Sequence, residues 1–206
     1  MVGFLINAVA ISMSGVLAPG PMTAATLAAG ARNRHAGLLL AVGHGIVELP
    51  LMLLILTGVN ALVQRTSTQA AIGLAGGVLL MLMGGGMLLA MRRPPDVGRA
   101  PTNRRGPVLT GIIMTGGNPY FLLWWATIGL TLAGQAAAYG ALAFAIFAGV
   151  HWLCDAAWLE VLSQASHRGS KVFGARSEKI ILGVCGTALV GFGVKFLYDA
   201  AKLLAG

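Results

Sequence analysis

Two prolines flank a glycine at Pro19-Gly20-Pro21, inside an apolar stretch that otherwise runs unbroken from Val2 to Ala29. Proline has no N–H to donate and its ring blocks the preceding turn, so the helical ladder must stop there. In lipid, a broken helix persists only where its freed amides and carbonyls are buried in protein or line a wet cavity. The break is therefore a candidate binding site. It returns at Gly116-Gly117-Asn118-Pro119, in the fourth apolar segment. Two interrupted helices at corresponding places in two halves point to a secondary transporter built from an internal repeat. Pro19, Gly20, Pro21, Thr23, Gly117, Asn118 and Pro119 are then the candidate substrate-binding residues.

The rest of the chain fits a membrane. Hydrophobic residues make up 57% of the 206 and charged residues 10%, far below the quarter or so usual in soluble domains. Spans of about 20 apolar residues are expected at Val2 to Ala29, Ala36 to Leu62, Gln69 to Met91, Pro107 to Leu132, Ala137 to Leu162 and Lys179 to Leu204. No Lys or Arg precedes Arg32, so the first segment lacks the basic start of a cleavable signal peptide and is read as a retained span. The net charge of +8 sits in short loops between spans, which argues for topology signals and against a nucleic-acid partner. Cys154 and Cys185 lie inside apolar segments without C-x-x-C spacing, which excludes redox and zinc-ribbon roles. No motif calls for a cofactor, and no nucleophile stands beside a base, so an enzyme is not indicated.

Of the 14 Lys and Arg, Arg32, Arg34, Arg92, Arg93, Arg99, Arg104, Arg105, Arg168, Lys171, Arg176 and Lys179 fall in or beside loops one, three and five. Only Arg65 and Lys202 lie opposite, which places those three loops in the cytoplasm and both termini outside. Residues 92–106, rich in Arg and Pro, read as a basic linker between a first three-helix repeat (1–91) and a second (107–206). Three is odd, so the second repeat enters from the opposite side and the repeat is inverted. The fold expected is an all-α integral membrane protein: six transmembrane helices, as two inverted-topology three-helix repeats with helices one and four broken. Gly77 with Gly84 in helix three and Gly186 with Gly193 in helix six repeat the same seven-residue spacing. Gly73 and Gly77 would suit a close helix contact or a homodimer face.

Helices two and five share a polar pair, His44 with Glu48 and His151 with Asp155, each four residues apart and so on one helix face. An inverted repeat brings His44 level with Asp155 and Glu48 level with His151. Ionisable groups at membrane depth are costly, face an interior and mark pathways, so these four are candidates for coupling or substrate binding. Lys195, with Asp199 four residues on, either snorkels to the interface or serves as their counter-charge. Trp124, Trp125, Trp152 and Trp158 read as packing or interfacial anchors. The alternative is a divalent-metal exporter in which His44, Glu48, His151 and Asp155 supply four ligands.

Pro19-Gly20-Pro21, the basic turn Arg32 to Gly37, and Gly43 with Gly45 together resemble the LysE-type amino-acid exporter family. Asn118-Pro119-Tyr120-Phe121-Leu122-Leu123-Trp124-Trp125 is similar to its fourth-helix motif, and Asp155 with Trp158 to its fifth-helix signature. The resemblance spans all six helices. It implies a secondary exporter of amino acids, cationic ones included, or other small solutes, in a bacterial or archaeal cytoplasmic membrane, driven by protons or the membrane potential. Many members carry a lysine after the fourth-helix Asn-Pro where this chain has Tyr120, and Glu48 is the second-helix acid here.

Overall fold

The computed structural model describes residues 1–18, 20–55, 65–92, 106–173 and 175–205, without the side chains of 119, 170–173, 175–178 and 181. Pro19, most of the basic linker and the expected end of helix two lie outside the described residues, as do the side chains of Pro119, Lys171 and Arg176. Every described element is helical: α1 (Val2–Val16), α2 (Pro21–Gly30), α3 (Ala36–Leu54), α4 (Thr66–Met91), α5 (Pro107–Gly116), α6 (Pro119–Trp124), α7 (Leu130–Ala138), α8 (Ala141–Phe173) and α9 (Ala175–Ala205). A π-helical turn, Trp125–Gly129, joins α6 to α7. Five helices are long and apolar enough to cross a membrane, or six when α1 and α2 count as one bent span.

The first break bends the chain by 77° between α1 and α2. Ahead of it α1 closes through Leu17 N to Met13 O and Ala18 N to Gly15 O. Beyond it, extended Gly20 caps α2, and Pro21 occupies the first helical position, where its missing N–H has no intrahelical role. The second break is capped differently. Asn118 turns its side chain back so that Oδ1 accepts from Tyr120 N at 3.1 Å.

Three expected boundaries change. The fourth segment does not span as Pro107 to Leu132; the stretch long enough to cross is Tyr120–Ala138, and Pro107–Gly116 is a short apolar helix before it. The alanines at 136–138 carry that helix on until Gly140 ends it with φ of 101°, a conformation glycine adopts freely. The polar run expected as loop five is helical through Phe173. Ser163 Oγ donates to Asn33 O and Ser166 Oγ to Leu27 O, so these hydroxyls bind loop one and α2 and the helix continues across them.

Burial inverts the soluble pattern. On α3, Leu38, Val42, Ile46, Leu49 and Leu53 are exposed while Leu40, His44, Glu48 and Met52 are buried, so the apolar stripe faces lipid and the polar one the interior. Glycine allows the closest crossings. A Cβ on Gly84 would sit 2.7 Å from Gly186 O, and one on Gly77 2.9 Å from Gly193 O, so α4 and α9 meet backbone to backbone. Gly73 and Gly77 face α9 within the chain, which removes that stripe as a dimer face. Gly84→Ala should therefore cost about 1–3 kcal/mol by overpacking, whereas Gly85→Ala, with nothing within 4 Å, should be neutral or slightly stabilising. Equilibrium unfolding of both variants in mixed micelles checks this.

Candidate functional site

The inner stripes of α3 and α8 face each other, and their polar residues meet at one oxygen. Glu48 Oε1 lies 3.1 Å from His44 Nε2 and 3.2 Å from His151 Nε2, and it accepts from Trp125 Nε1 at 3.2 Å. Asp155 lies across from both imidazoles: Oδ1 is 3.7 Å from His44 Nε2, and Oδ2 is 3.6 Å from His151 Nε2. His44 thus stands level with Asp155, and Glu48 with His151. Each imidazole turns its other nitrogen to a hydroxyl, His44 Nδ1 to Thr115 Oγ1 at 2.9 Å and His151 Nδ1 to Ser12 Oγ at 2.7 Å. Glu48, Thr115 and Ser12 are each 1% exposed.

Trp125 reaches Glu48 because the helix widens there. A straight α-helix turns adjacent side chains about 100° apart, yet Trp124 and Trp125 are both buried against His151. The π-helical turn beginning at Trp125 winds more slowly per residue and so narrows that angle. Gly129 keeps the space beneath the Trp125 ring clear. Trp124 stacks on His151 with centroids 5.3 Å apart and planes 24° apart, and Trp125 meets the same ring edge-on at 5.2 Å.

Beside this cluster is a cavity of about 90 Å³, lined by both carboxylates, both imidazoles and the two tryptophans. The first turn of α2 also lines it, through Gly20, Pro21, Met22 and Thr23, as does Asn118 from the second break. No Lys or Arg is among the described residues of its wall. Glu48 Oε2, Asp155 Oδ2 and Trp124 Nε1 are buried without a hydrogen-bond partner among the described residues. A buried group in that condition costs about 1–3 kcal/mol, and all three belong to residues that line the cavity. Apolar clusters lie on both sides of the polar residues along these helices. Met52, Trp125, Phe144 and Phe147 pack toward one end of α3 and α8, and Leu40, Ala41, Ala156 and Leu159 toward the other.

The sequence-derived candidates divide accordingly. His44, Glu48, His151, Asp155, Gly20, Pro21, Thr23 and Asn118 all line the cavity. Gly117 is not among its lining residues. Lys195 pairs with Asp199 on α9 at 2.5 Å, with side chains 64% and 47% exposed, away from the buried cluster. Trp124 and Trp125, read as anchors, are cavity walls. Ser12 and Thr115 stood out by no spacing in the sequence, since each shares its helix with a second hydroxyl, Ser14 and Thr110. His44, Glu48 and Asp155 each offer one ligand atom within 4.8 Å of the others.

The LysE type translocator family model matches residues 13–200, so it includes both breaks and His44, Glu48, Thr115, Trp125, His151 and Asp155. The chain belongs to this family. Searches of curated proteins and of solved structures found no match. LysE translocators are transport proteins and not enzymes, and this translocator is a multi-pass membrane protein that moves a small molecule across a bilayer. Its polar cluster is also its structural centre. Glu48→Met should lower the translocator's stability by about 3–5 kcal/mol, because a buried charged partner is removed while two imidazoles and an indole N–H remain. SDS-induced unfolding in mixed micelles, read by tryptophan fluorescence, measures the loss.

Proposed function

We propose that this chain exports amino acids, cationic ones included, from the cytoplasm by alternating access, in exchange for protons or under the membrane potential. The observation that carries the reading is the mixed wall of one cavity, lined both by the carboxylates of Glu48 and Asp155 and by the first turn of α2. A zwitterion needs both. Its ammonium pairs with the carboxylates, and its carboxylate accepts from the first-turn amides of α2, where the helix dipole favours negative charge. Of the two breaks, α2 has the more available end, since Asn118 already occupies the Tyr120 amide. A proton competing with the ammonium for the same carboxylates links solute movement to protons.

An inverted repeat of 1–91 and 107–206 about the linker 92–106 is supported by the pairing of contacts. Gly77 meets Gly193 as Gly84 meets Gly186, and the His44–Thr115 bond is matched by His151–Ser12. The contact of α2 with α9 is matched by that of α6 with α4. Rocking of one half against the other would part the two apolar clusters in turn. The Lys and Arg bias supports cytoplasmic loops one, three and five, and termini outside a bacterial or archaeal cell. A divalent cation is the alternative cargo, since His44, Glu48 and Asp155 each offer a ligand atom within 4.8 Å of the others, but the chain carries no metal-ligand motif such as H-E-x-x-H.

Counterflow in liposomes with lysine, arginine, threonine, leucine and a divalent cation tests the reading. Exchange of an amino acid is expected, and Glu48→Gln and Asp155→Asn should each reduce it at least tenfold while the protein still inserts. Cation flux without amino-acid exchange would overturn it. For topology, single cysteines at Arg34 and Lys202 in intact cells should differ: an impermeant thiol reagent labels position 202 and spares position 34.

A further inference from the structure

The Thr115 hydroxyl carries one hydrogen and makes two contacts, 2.7 Å to Gly111 O and 2.9 Å to His44 Nδ1. A carbonyl only accepts, so both bonds exist together only if Thr115 donates to Gly111 O and His44 Nδ1–H donates to Thr115. Once the ring's hydrogen is on Nδ1, Nε2 of the neutral imidazole is a bare lone pair. It faces Glu48 Oε1 at 3.1 Å and Asp155 Oδ1 at 3.7 Å. Three acceptors then converge with no hydrogen between them, so an added proton, on Nε2 or on one of the carboxylates, or a cationic donor is needed to hold them together. The matching contact on α8 lacks this lock: Ser12 Oγ meets His151 Nδ1, and among the described residues no second acceptor for Ser12 fixes its direction. The two histidines, alike in sequence spacing, therefore differ in what they can do.

We propose that Thr115 is a positioning residue that keeps the His44 hydrogen on Nδ1, so that His44 Nε2, Glu48 Oε1 and Asp155 Oδ1 form one slot taking either a proton or the ammonium group of the exported solute, never both. The slot rests on the amino-acid reading above and makes its exchange obligatory. With a proton loaded, Nε2–H donates to Glu48. When the ammonium enters, that N–H bond breaks and the proton leaves to water on the open side. The freed lone pair then accepts one ammonium N–H, with the two carboxylates accepting the others. An ammonium has three hydrogens for the three acceptors. His44 is faced by Glu48 on its own helix and by Asp155 and His151 on α8, while α5 contributes only the Thr115 hydroxyl and α6 the edge of Phe121 at 5.3 Å. No fixed Lys or Arg among the described lining residues competes for the slot.

Removing the hydroxyl releases the tautomer. In Thr115→Val the neutral ring is free to carry its hydrogen on Nε2 and fill the slot without a net charge, so the ammonium must displace a neutral N–H and no proton need leave. The test uses the full chain in lipid nanodiscs, with side-chain ¹⁵N spectra of the histidines, His44 assigned by its loss in His44→Gln. In parallel, binding of lysine, threonine and leucine is followed with a pH indicator for released protons. Neutral His44 is expected as the Nδ1–H tautomer, with about one proton released per amino acid bound. Thr115→Val should show the Nε2–H tautomer, about tenfold weaker binding and no linked proton release, and Thr115→Ser should restore all three. A purely structural role for Thr115 would weaken binding but leave proton release intact, which would overturn the proposal. So would an Nε2–H tautomer in the unaltered protein. If none of the three amino acids binds, the amino-acid reading fails and the slot with it, and the His44 tautomer tells that failure apart from a failure of the Thr115 lock.

Discussion

A single carboxylate oxygen ties the interior together. Glu48 Oε1 gathers His44 from α3, His151 from α8 and Trp125 from the π-helical turn, and through the two imidazoles it reaches Thr115 on α5 and Ser12 on α1. In a medium where water supplies no competing bonds, an isolated polar group costs several kcal/mol, and its partners are drawn to it. The cluster thus does for this fold what an apolar core does for a soluble one. Lipid gives the helices little reason to associate through outward-facing leucines such as Leu38, Leu53 and Leu82, and the polar contacts and glycine crossings add to the buried apolar clusters in holding them together.

The two breaks gain meaning from that centre. A continuous first helix would have no free helix end at the depth of the cluster. The interruption at residues 17–20 turns α2 by 77° and sets its first turn in the wall of the cavity that holds the carboxylates. The second break sends α6 into the π-helical turn that aims Trp125 at Glu48. Each break trades helical hydrogen bonds for a directed group, and in both cases the direction is toward the same few ångströms of space.

Much of this was legible in the residues themselves. Proline positions marked both breaks, since no tertiary contact restores an N–H that is chemically absent. The four-residue spacing of His44 with Glu48 and of His151 with Asp155 placed each pair on one face, because helical geometry is local. What stayed hidden depends on distant partners. Ser163 and Ser166 look like loop residues until Asn33 and Leu27 offer them acceptors. Trp124 and Trp125 read as packing or interfacial anchors; a π-helical turn, which has no clear residue signature, brings both against His151. Thr115 matters only through Gly111 O and His44 Nδ1, one bond local and one seventy-one residues away in sequence.

The cluster is almost symmetric, and the departure is instructive. Where one half has Glu48, the other has Asp155, shorter by one methylene. The longer side chain carries its carboxylate into contact with both imidazoles, while Asp155 stays 3.6 Å or more from either. A perfectly symmetric pair would give two equivalent ways of filling the centre, related by the same operation that exchanges the inward and outward states of an inverted repeat. Unequal acids, together with Thr115 held by Gly111 O and Ser12 without such a hold, make the two fillings differ in energy. On the alternating-access reading proposed above, that difference would give a proton and a solute unequal claims on the two states, since a ligand shifts a two-state equilibrium only by its difference in affinity for them.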